Sequence, residues 1–320
     1  MTRDARSPLR VTRSAQNLTN RIEVMAQGAI VSLCEAIAGT IPMYLVDTSC
    51  SDTSGRLQRA EGRARVTFDM RDGTCRLHTL FQEGCAKIRL PTPLPGQCPE
   101  AIVINTAGGL TGGDRFRVEA ELGVHATAIL TTQACERIYR SIGNDAVIEN
   151  SLRAAPGARL AWLPQESILF DGGRLARRLD VDLEGDAEFV AVEAVLLGRT
   201  AMGERVHTGS LRDRWRVRRD GKLIFADDLR LNGDIAGMTA SAATLGGRSA
   251  FATVFYAGSE SERLLAPVRV ALGEDGGASA WNGKLVVRLA TISGLILRRR
   301  LEPVLTLLLG GQPLPKAWQL

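Results

Sequence analysis

The sequence predicts a mostly β fold on three observations. From residue 65 onward, apolar and polar residues alternate with a period of two in short runs. Those runs are punctuated by Gly, Pro and Asp-Gly, and one run follows another without regular intervening helices. The chain has 320 residues and 34.5 kDa, room for one large domain or two ordinary ones with a sizeable core.

Residues 1–55 stand apart as an extension or linker to which we assign no function. They balance five Arg against five acids and end in the polar run 48–55. An apolar run at 28–46 is interrupted by Glu35 and Pro42 and begins too late for an ordinary signal peptide, so it reads as non-membrane. A start at Met43 would leave the body of the protein untouched.

Residues 56–320 form the β domain. Strands are expected within 65–70, 75–80, 101–106, 116–122, 127–133, 178–184, 215–231 and 251–258. Asp220-Gly221 divides 215–231 into a hairpin, because both central positions of that turn favour residues that tolerate positive φ. Two short helices are expected, at 133–141 and at 296–309, the latter despite Pro303.

Hydrophobic residues at 45% and charged residues at 23% exclude a predominantly disordered chain and a multi-span membrane protein. A formal charge of +5 is too weak for a dedicated nucleic-acid binder. Only Lys87, Lys222, Lys284 and Lys316 are lysines, so nearly all positive charge is guanidinium, able to grip carboxylates or phosphates bidentately. Cys34, Cys50, Cys75, Cys85, Cys98 and Cys135 form no C-x-x-C pair, which fits a reducing, cytoplasmic setting. His78, His125 and His207 lie far apart and read as structural or surface residues, so neither a Cys/His zinc pattern nor a tight preformed metal cage is expected.

The densest glycine cluster, Gly108-Gly109-Leu110-Thr111-Gly112-Gly113-Asp114, lacks the Gly-Lys-Ser/Thr ending of a phosphate loop and runs into a strand. It reads as a sharp turn in which Asp114 accepts backbone hydrogen bonds, with a metal-path or interface role as the alternative. Glu166 borders an apolar run and is expected as a solvated edge or an arginine partner. Glu193 lies in AEFVAVEAVLLG, a strand apolar on both faces, with Phe189, Ala191 and Val195 on one and Val190, Val192 and Leu196 on the other. A carboxylate there needs a cationic companion, for which Arg199 is the nearby candidate; a passing cation is the alternative. Arg212, Arg214, Arg216 and Arg218 share one face of a strand whose other face carries Leu211, Asp213, Trp215 and Val217. That stripe is a solvated sheet face or a dock for an acidic protein. Arg137, Tyr139 and Arg140 form a smaller constellation suited to docking. No nucleophile elbow, H-E-x-x-H or kinase signature occurs.

Five segments in register, NTAGGLTGGDRF, TTQACERIYRS, LAWLPQESILFDGG, LLGRTAMGE and PLPKAWQL, together resemble the urease accessory protein UreD family, also called UreH. The resemblance implies a layered, superhelical β architecture with few helices. It further implies a non-enzymatic maturation factor that delivers nickel(II) to apo-urease with UreF and the GTPase UreG, through an internal polar tunnel and without a tightly bound cofactor. Such a conduit should lack His/Cys clusters, because carboxylates and carbonyls release nickel more readily than imidazole or thiolate. On this reading Asp114, Glu166, Glu193 and Glu204 line or shape the path, and Arg137, Tyr139 and Arg140 dock partners or fix those acids. The rival classes are a β-scaffold hydrolase with an acidic pair and an arginine-stripe nucleic-acid binder, the latter disfavoured by the scarcity of aromatics for base stacking.

Overall fold

The computed structural model describes residues 58–94, 96–199 and 202–319. The readings made on residues 1–55, the apolar run 28–46 among them, lie outside the described residues. Two sheets dominate. The first runs, in spatial order, β14 (Lys222–Asp234), β13 (Thr208–Arg219), β11 (Arg174–Leu183), β8 (Ala146–Ala154), β5 (Arg115–Leu122), β1 (Glu61–Arg71) and β2 (Thr74–Gly84). The second runs β16 (Gly276–Trp281), β17 (Lys284–Thr291), β15 (Ala250–Ala257), β12 (Glu188–Leu197), β9 (Arg159–Leu163), β6 (Thr127–Thr132), β4 (Glu100–Asn105) and β3 (Ala86–Arg89). Beside it, β10 (Ser167–Leu169) joins β12 to β7 (Glu136–Ile138).

The chain passes back and forth between the sheets, so β5, β8, β11 and β13 stack in parallel in one while β6, β9 and β12 stack in parallel in the other. Each passage adds a strand to each layer. This is the layered, superhelical β architecture the sequence led us to expect.

Alternation decides what fills the space between the layers. Leu175, Leu179, Val181, Leu211, Trp215 and Val217 from the first sheet meet Leu130, Leu160, Trp162, Phe189, Ala191 and Val195 from the second in one continuous core. The opposite face of the second sheet carries Leu163, Val190, Val192 and Val254, which pack under the helices α2 (Ser261–Leu272) and α3 (Gly294–Leu308). Strand β12 is therefore covered on both sides, and its doubly apolar composition follows.

The helix expected near the C-terminus is α3. Its buried Leu297, Leu301, Val304, Leu305 and Leu308 recur at helical spacing, and the Ser293 hydroxyl accepts from the Ile296 N–H at 3.4 Å as N-cap. Pro303 sits inside α3 without ending it. A six-residue helix α1 (Ile235–Ala240) and α2 come in addition.

The helix expected at 133–141 is absent; that segment contains β7. Strand β7 pairs in parallel with β10, and Leu110 bridges Ile138, so inter-strand bonds replace helical ones while Ile138 is buried completely. Arg137, Tyr139 and Arg140 are thus exposed side chains of a strand and the loop after it, not one helical face.

The hairpin at Asp220-Gly221 forms as expected, with φ of 49° and 76° at the two residues. The outer face of the first sheet is a lattice of alternating charge: Arg63 meets Glu119 at 2.9 Å, Arg65 meets Glu121 at 3.1 Å, and Arg178 meets Glu149 at 3.0 Å and Asp180 at 2.7 Å. In the arginine stripe of β13, Arg212 and Arg216 share the one carboxylate of Asp228, each at 3.9 Å.

Candidate functional site

The glycine-rich turn positions Asp114. Its Oδ1 accepts from the Ala60 N–H at 2.9 Å and its Oδ2 from the Thr111 N–H at 2.7 Å, tying the start of β1 to the start of β5. Gly109, at φ 149°, lies so close to the Tyr139 ring that an added Cβ would stand 2.3 Å from Tyr139 Cε2, which explains why only glycine fits there. Asp114 is 5% exposed and works as a turn acceptor.

Glu193 lies on the β12 face that looks toward the first sheet. Its cation is Arg177, not Arg199: the Arg177 guanidinium contacts Glu193, and Trp162 Nε1 donates to Glu193 Oε1 at 3.0 Å. Arg199 lies beyond the end of β12, outside the core, and pairs with Glu204 instead. Arg177 also grips Asp213 bidentately, Nη2 to Oδ2 at 2.7 Å and Nε to Oδ1 at 3.2 Å, and donates to Ser167 Oγ at 3.0 Å. One guanidinium thus serves two buried carboxylates between the sheets. Burial pushes the Glu193 carboxyl up to about 7, against the attraction of Arg177.

One residue before Ser167, Glu166 accepts from Arg298 of α3, Nη2 to Oε2 at 2.6 Å and Nε to Oε1 at 3.1 Å. The same guanidinium reaches Gln165 Oε1 and lies 5.1 Å from the centroid of the Trp318 ring. Trp318 is fully buried and donates through Nε1 to the Leu163 carbonyl at 2.9 Å, which pins the C-terminal segment to the second sheet. The Cys135 thiol donates to Glu166 Oε2 at 3.3 Å; burial and that carboxylate push the thiol up to about 11. Next to Cys135, Glu136 accepts from Asn105 Nδ2 at 3.1 and 3.2 Å, and burial pushes its carboxyl up to about 7. The Cys85 thiol is raised chiefly by burial, with the charges of Glu136 and Asp114 acting in the same direction.

Glu204 sits at the loop end of β12, with Oε2 2.7 Å from Arg199 Nε and Oε1 accepting from the Asp171 N–H at 3.4 Å. Arg199 stacks 4.4 Å over Phe170, whose ring meets Tyr139 edge-on at 5.1 Å. The Tyr139 hydroxyl donates to the Gly108 carbonyl at 3.2 Å, and Arg140 lies 4.0 Å from Asp171. Among the described residues, no three His, Cys, Asp or Glu side chains gather as a metal cage.

This combination of a two-sheet superhelix, buried acids and a tryptophan-anchored tail coincides with a family match across the whole described chain. Residues 60–319 match the family described as UreD urease accessory protein. The chain is 54% identical to a urease accessory protein UreD of Rhizobium leguminosarum bv. viciae over 83% of its length and 98% of the relative's. It is 50% identical to one from Agrobacterium fabrum over 85% and 96%, and 48% identical to one from Brucella suis over 84% and 97%. The chain belongs to the UreD family.

In this UreD, the predicted acids are not brought to one place: Glu193 lies between the sheets with Arg177 and Asp213, whereas Glu166 is held by Arg298 of α3. Asp114 is held in its turn by the Ala60 and Thr111 N–H groups, and Glu204 belongs to a separate cluster at the loop end with Tyr139 and Arg140. Sequence reasoning missed Arg177, Asp213, Glu136 and Arg298 as site residues. For two of them a signal existed: Arg177 stands between Leu175 and Leu179, and Asp213 between Leu211 and Trp215, so parity alone puts each charge on the buried face. Glu136 was hidden by the mistaken helix. Arg298 lies 132 residues from Glu166, with no local pattern to link them.

Proposed function

We propose that this UreD is a non-enzymatic scaffold that conveys nickel(II) to apo-urease in the cytoplasm, in complex with UreF and UreG, and that residues 56–320 carry this role. The observation that carries the reading is a pair of buried carboxylates between the sheets, Glu193 and Asp213, which share the single guanidinium of Arg177. An arriving divalent cation favours the ionised form of such a pair, yet meets no cage of soft ligands among the described residues to hold it. Glu166, Asp114 and Glu136 are each held by the protein's own donors, so an ion reaching any of them competes with existing bonds rather than settling. Glu204, Tyr139 and Arg140 form a partly exposed cluster suited to partner docking.

The test is co-expression with urease and its other accessory proteins. Glu193→Gln, which keeps the Trp162 hydrogen bond and removes one of the two carboxylates, is expected to lower nickel loading of urease several-fold while leaving co-purification with UreF intact. Full loading by a folded Glu193→Gln/Asp213→Asn variant discards the path.

A further inference from the structure

We propose that the edge of β14 away from β13, unpaired among the described residues, receives an extended acidic segment of a partner protein as an added strand. Strand β14 closes the first sheet: it pairs with β13 on one side, and its other edge borders a groove of about 600 Å³. The groove is floored by Leu229, Leu231, Phe251 and Leu289 and rimmed by Arg230 and Arg248. An exposed strand edge carries unpaired N–H and C=O groups that template a further strand.

The side chains beside that edge hold positive charge in excess. Arg212 and Arg230 face each other directly across the β13–β14 pair, a like-charge juxtaposition that is destabilising without a counter-ion. Their one shared carboxylate, Asp228, is 2.9 Å from Arg230 and 3.9 Å from both Arg212 and Arg216. Arg212 and Arg230 remain 50% and 62% exposed, open to another anion. Arg248 donates to the Leu245 carbonyl at 3.3 Å and has no ion pair among the described residues. Of the groove's acids, Asp275 is already engaged by Arg300 at 2.7 Å, and Glu274 precedes it in the chain.

The pleat specifies the sequence of the guest. Residues of an added strand alternate faces like their neighbours, so those level with Arg230 point outward and should be acidic, while those level with Leu229 and Leu231 point over the floor and should be apolar. An acidic block without alternation satisfies only one face.

The experiment uses the full chain and a fluorescein-labelled peptide, Glu-Val-Glu-Leu-Glu-Val-Glu, read by fluorescence anisotropy. Saturable binding is expected, and Arg212→Glu/Arg230→Glu should weaken it about tenfold by converting two exposed attractions to repulsions. A peptide of the same composition with its acids in one block should bind several-fold more weakly. Of two peptides N-methylated on alternate residues, only the one whose outward-facing amides are methylated should retain affinity, because methylation removes ladder donors. Equal affinity of both methylated peptides overturns strand addition. Equal or tighter binding of an oligothymidine shows a general anion patch and also overturns the proposal, as does self-association of the protein through this edge that excludes the peptide.

Discussion

Arg177 and Asp213 occupy matched positions on adjacent parallel strands, and their side chains close a bidentate ion pair inside the space between two sheets. The same guanidinium crosses to Glu193 on the opposite sheet. One side chain therefore ties neighbouring strands of one sheet to the other sheet.

Replacing Arg177 with methionine leaves two buried carboxylates without their cation. The expected loss is about 3–5 kcal/mol, the range found when one partner of a buried ion pair is removed. Urea denaturation checks it, and a loss below about 1 kcal/mol, the size of an exposed pair, would mean that water reaches the network.

Glu136 predicts a pH dependence. Its carboxyl is raised in the folded protein to about 7 from 4.5, so the native state binds the proton more tightly than the unfolded chain. The resulting penalty is absent below pH 4.5, grows as pH rises toward 7, and is complete above it. Glu136→Gln removes this penalty while keeping an acceptor for Asn105. The variant should be more stable than the parent at pH 8, by up to about 3 kcal/mol, and the gap should shrink toward zero near pH 4.5. Denaturation midpoints at the two pH values decide it; a gap independent of pH refutes the buried-acid account.

Trp318→Ala should cost about 3–5 kcal/mol, as for other fully buried aromatic residues. It also removes the ring on which Arg298 rests. Trp318→Phe keeps a ring and loses only the donor to Leu163, so its cost should be the smaller of the two. Calorimetric melting of both variants tests the order, and equal melting temperatures would show that the tail does not anchor the sheet.

How much was legible beforehand depended on the range of the interaction concerned. Strand β12 announced its two-sided burial through residues 189–196, and the Asp220-Gly221 turn announced its hairpin, because pleat and turn chemistry are local. The helix expected at 133–141 failed because Ile138 is claimed by Leu110 and β10, partners outside the segment. Glu193 was correctly expected to need a cation, but the nearest arginine in sequence was the wrong one. Arg177 reaches it from the other sheet, while Arg199 is turned outward by Glu204 and Phe170.

The sequence by itself determined that the chain is mostly β, which faces of its strands are apolar, and that its signature segments are those of a UreD. These are properties of spacing and residue type, repeated along the chain. Only the tertiary structure decided which arginine neutralises which acid, since a buried charge is satisfied by whatever guanidinium the stacking of layers brings within hydrogen-bond reach, and that reach spans 132 residues between Arg298 and Glu166.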